Sequence, residues 1–90
     1  MTREEVRAWL HARKPAPPDA LRVRLHRALD EVPPAPASRL PAYLAQLGHQ
    51  LLADVTARPG GGRELALDLL AADAFATYAF EAQAEEEGTT

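Results

Sequence analysis

The stretch "LLAADAFATYAFEAQAEEE", residues 69–87, constrains the fold more than any other part of the chain. It belongs to a helix expected over 63–86. Wound at 100° per residue, that helix puts Leu65, Leu69, Ala76 and Phe80 on one side and Leu67, Ala71, Phe75 and Tyr78 on the opposite side, with Leu70 and Ala74 between. Only Asp73, Thr77 and Glu81 form a polar seam, and Asp68 stands alone elsewhere. A helix that is apolar nearly all round is buried on several sides, so it needs covering surfaces from its own chain or from a partner.

Three shorter helices are expected upstream to supply such surfaces. Thr2 followed by Glu5 is a capping box, and the helix it opens runs over 2–14 to Pro15, with Val6, Trp9 and Leu10 on one face. After the stiff link "PAPPD", Pro18 and Asp19 suit the first turn of a helix reaching residue 32. Its stripe is Leu21, Leu25, Ala28, Leu29 and Val32, while Arg22, Arg24, His26, Arg27, Asp30 and Glu31 fill the other face as a solvated surface. "PPAPAS" is a second rigid link, with Ser38 the expected N-cap of the next helix. There Leu40, Leu44, Leu47, Leu51 and Val55 recur at helical spacing, and "RPGGGRE" releases the chain into a flexible turn. The expected fold is therefore all-α, a bundle of three to four helices ending in a long, apolar, Ala-rich helix, with 1–87 one helical domain and 88–90 a disordered tail.

Two arrangements satisfy the last helix. In one it is a central post wrapped by the other three. In the other, one side stays uncovered and is buried by a second copy or another protein. Its length favours the second, because a helix of about 24 residues spans about 36 Å and the first two helices are little more than half as long. The row Ala72, Ala76 and Ala79 permits a neighbour to approach closely.

Composition narrows the chemistry. The chain of 90 residues has no cysteine, so disulfides, thiolate nucleophiles and Cys-containing metal sites are excluded. That fits a reducing, cytoplasmic setting. No apolar run resembles a secretory signal, and Asp68 and Asp73 break the most apolar window, so no membrane span is expected. Nine Arg against one Lys, with no Ile or Asn, read as the codon bias of a GC-rich bacterial genome. Residues 1–30 carry seven basic against four acidic side chains, and residues 31–90 carry three against nine. A basic front of +3 and an acidic back of −6 attract each other, within one chain or between two.

No constellation spells an enzyme. His26 and Asp30, four apart, are too few for a zinc site and read as a surface pair. Asp73, Thr77 and Glu81 sit one turn apart without a neighbouring nucleophile. "RPGGGRE" lacks the GK[ST] ending of a phosphate-binding loop, and no strand precedes it. The expectation is a non-enzymatic interaction module or small accessory subunit, without cofactor or metal, that self-associates through its C-terminal helix. Phe75, Tyr78, Phe80 and Trp9 are its expected partner-binding anchors, because interface energy concentrates in aromatics. The alternative is a small-molecule binder with an apolar pocket between helices. Nucleic-acid binding through the Arg-rich second helix is a weaker alternative, opposed by the net charge of −3.

Overall fold

The structure is a computed structural model describing residues 1–58 and 60–88. It is all-helical: α1 (Arg3–His11), α2 (Asp19–Glu31), α3 (Leu40–Ala57) and α4 (Arg63–Gly88). The capping box forms as expected, Thr2 Oγ1 accepting from the Glu5 N–H at 3.2 Å and Glu5 Oε1 accepting from the Thr2 N–H at 3.2 Å. α1 stops at His11, short of residue 14. The N-cap of α3 is Arg39 and not Ser38. The serine hydroxyl is used one turn earlier, accepting from the Ala35 N–H at 3.2 Å. Gly60 and Gly62, with φ of 82° and 133°, carry the turn into α4 through backbone conformations that a Cβ disfavours.

α3 and α4 form the most extensive helix pair; α2 packs on α4, and α1 on α2. Closeness in the main pair comes from Gly48, where a Cβ would stand 3.2 Å from the Ala72 carbonyl oxygen and 3.4 Å from the Phe75 Cβ. The core is one cluster. Tyr43, Leu44, Leu47 and Leu51 come from α3, Ala71, Ala72, Phe75 and Ala82 from α4, Leu25, Ala28 and Leu29 from α2, and Val6 and Leu10 from α1. Each fully buried Leu or Phe contributes about 1.5–3 kcal/mol of transfer free energy. Tyr43 closes the junction with the second link, its hydroxyl donating to the Val32 carbonyl at 2.6 Å, and burial pushes its pKa up to about 12.

The attraction between basic front and acidic back operates within the chain. Arg13 meets Glu85 at 2.6 Å and Arg24 pairs with Asp68, while Arg39, itself in the acidic half, pairs with Glu86. The pairs at Glu85 and Glu86 lie in the last turns of α4, which continues to Gly88 instead of fraying after 86. The tail expected at 88–90 is thus helical at Gly88, and its last two residues lie outside those described. No helix among the described residues is long and apolar enough to cross a membrane.

Candidate interaction surface

The four expected anchors separate into three environments. Phe75 is fully buried in the core. Trp9 and Tyr78 are half-buried and meet edge-to-face, with ring centroids 5.9 Å apart, which fastens α1 to α4. Trp9 Nε1 donates to Glu85 Oε1 at 2.9 Å, and the Arg13 guanidinium lies 3.8 Å over the indole ring. The Tyr78 pKa is raised by burial and by Glu81, with Arg13 opposing. Phe80 alone points outward, 80% exposed.

Phe80 does not stand by itself. Leu69 is 45% exposed and Leu52, across on α3, is 47% exposed. With Ala45, Ala76 and Pro41 they line an open groove of about 720 Å³ along one flank of the α3–α4 pair. The helix period explains the arrangement. Ala76 follows Phe75 by 100° of rotation, and Leu69 and Phe80 fall on that same flank, turned away from the core. α1 and α2 are occupied in closing the Phe75 side, so the described helices leave the Phe80 flank of α4 exposed. Asp73, His49 and Gln83 are the polar side chains of its lining.

Of the polar seam, Asp73, Thr77 and Glu81 are all exposed; Asp73 borders the groove, and Glu81 lies 3.9 Å from Arg13. His26 and Asp30 do not pair. Asp30 instead receives Arg7 at 2.5 Å and Arg3 at 3.2 Å. Among the described residues no cluster of three or more His, Asp or Glu has a geometry that would hold a metal ion.

The polar residues that matter most to the interior were the ones the pattern concealed. Arg24, expected on the solvated face of α2, is buried, and so is Asp68. Arg24 Nε donates to Asp68 Oδ1 at 2.6 Å, and Arg58 Nη2 to Oδ2 at 2.5 Å; Glu31 takes a further Arg24 contact at 3.3 Å. Burial alone would raise the Asp68 pKa. Hydrogen bonds and charge from Arg24 and Arg58 outweigh it and hold the carboxyl below its ordinary value. A signal for this was present: Asp68 falls seven residues before Phe75 and three before Ala71, on the buried arc. Withdrawal of Arg24, and the pairing of Arg22 with Asp19 at 3.0 Å, also thin the cationic face a nucleic acid would require. No family model, curated protein or solved structure matches the chain.

Proposed function

We propose that the chain is a non-catalytic interaction module that self-associates through the open flank of α3 and α4, with Phe80 as its anchor. The observation that carries this reading is the exposure of Phe80 beside Leu69 and Leu52, in an apolar strip bordered by polar groups. Large aromatics at the centre of a patch dominate binding energy, and a two-fold contact uses each such residue twice. The same surface would serve an accessory subunit docking on another protein, but a two-fold contact with a second copy needs no surface beyond this one. Dilution followed by amide NMR tests it. Shifts at Leu52, Leu69, Ala76 and Phe80 should depend on protein concentration while those at Leu29 and Leu44 do not; concentration-independent spectra would remove the reading.

A second reading is a binder of an apolar small molecule. The groove volume of about 720 Å³ falls within the range of about 300–1,000 Å³ usual for ligand sites, and Asp73, His49 and Gln83 in its lining supply polar groups for a ligand's polar end. Saturable binding of a long-chain fatty acid, competing with self-association, would favour it; no binding by the wild-type chain would exclude that ligand class.

A further inference from the structure

A second concavity, of about 310 Å³, lies at the corner where α1 passes through the proline-rich link into α2, and shares no residue with the groove. Its apolar lining residues are Leu10, Ala16, Pro17 and Leu25, and Tyr78 joins the lining from α4. The polar groups at its edge are mostly donors: His11, His26, Arg13 and Arg22, against the single carboxylate of Asp19. Arg13 is taken up by Glu85 and the Trp9 ring. Among the described residues no hydrogen bond reaches His11, His26 or the Tyr78 hydroxyl. Among the described residues Arg22 is held only by Asp19, three residues before it, and the Asp19 side chain is 92% exposed. An exposed pair of this kind is weak, so a carboxylate guest competes for Arg22 on even terms.

The surroundings are electropositive. His26 has its pKa lowered first by burial and then by Arg7, Arg22 and His11, with Asp30 the sole group raising it. A concave site with an apolar floor, unpartnered donors and an excess of positive charge suits a guest with one anionic end and one apolar end.

We propose that this corner binds a small organic acid, its carboxylate received by Arg22, His26 and the Tyr78 hydroxyl and its apolar body resting on Leu10, Pro17 and Leu25. A volume of about 310 Å³ is at the lower limit for ligand pockets, which restricts the guest to a monocyclic aromatic or short-chain acid. This inference is independent of self-association, since it uses none of the residues of the α3–α4 flank.

Titration of the full-length chain with benzoate, followed by amide and imidazole NMR, tests it, with benzamide as the neutral counterpart and inorganic phosphate as the bare anion. The expected result is saturable shifts at Leu10, Leu25, His26 and Tyr78, with benzamide and phosphate each at least about tenfold weaker, since charge-assisted bonds and the apolar floor both contribute. Arg22→Gln and His26→Gln should each weaken benzoate by about tenfold while changing the melting temperature little, Arg22 being exposed and His26 half-buried outside the core cluster. Failure of benzoate to saturate by about 20 mM, well above the millimolar affinity expected of so small a guest, would overturn the proposal. So would equal binding of benzamide or phosphate, or wild-type affinity in both variants.

Discussion

Phe75 and Phe80 sit five residues apart on one helix, and their surroundings are opposite: the first has no exposed surface, the second is 80% exposed. Both lie in apolar neighbourhoods of α4, so hydrophobicity does not distinguish them. The difference comes from what each flank meets. On the Phe75 side, Gly48 lets α3 approach to van der Waals contact and α2 supplies Leu25, Ala28 and Leu29. On the Phe80 side none of the described helices covers the ring. An apolar helix thus divides into a face that holds the fold and a face that stays exposed.

The largest expected effect breaks the closed side. Phe75→Ala should destabilise the chain by about 3–5 kcal/mol, as large-to-small changes in a packed core do, and thermal unfolding would register it as loss of most or all of the cooperative transition. Next comes Asp68→Ala, which leaves buried Arg24 with only its longer 3.3 Å contact to Glu31 among the described residues. Breaking a buried pair by removing one member costs about 3 kcal/mol, readable by urea denaturation.

The pH dependence follows from the same carboxyl. Asp68 in the folded chain titrates below its ordinary value of 3.8, which the unfolded chain retains, so in the window between the two the unfolded state binds the extra proton. Its contribution to stability is complete above that ordinary value and lost as pH falls through the folded one. Urea midpoints measured downward from pH 5 should fall, and Asp68→Asn should flatten that part of the slope; an unchanged slope in the variant would assign acid sensitivity to other carboxylates. The smallest effect on the fold belongs to Phe80→Ala, expected to change stability by under about 0.5 kcal/mol, since it removes a ring that touches mainly solvent.

Much of the architecture was legible in the residues. The four helices and their proline-rich links follow from the capping box at Thr2 and Glu5, the prolines, and the stripe Leu44, Leu47, Leu51 and Val55, all of which are buried. The two apolar sides of α4 were also legible, because rotation per residue is a local property. Which side would be closed was not, since that depends on the reach of shorter helices and on one close approach at Gly48. The Arg24–Asp68 pair escaped for a related reason: its members are 44 residues apart, and each alone reads as a surface charge. The anchors were read from residue type alone. Trp9 and Tyr78 could not be separated from Phe80 without knowing that they meet each other.

Light scattering behind size exclusion, on the wild-type chain and on Phe80→Glu over a range of concentrations, tests the central claim most directly. Wild type should rise from the monomer mass of 9.8 kDa toward twice that value as concentration increases, and Phe80→Glu should remain monomeric with the same melting temperature at low concentration. A wild-type chain that stays monomeric throughout, or a variant that associates equally well, would contradict the claim that the open flank of α4 is a self-association surface.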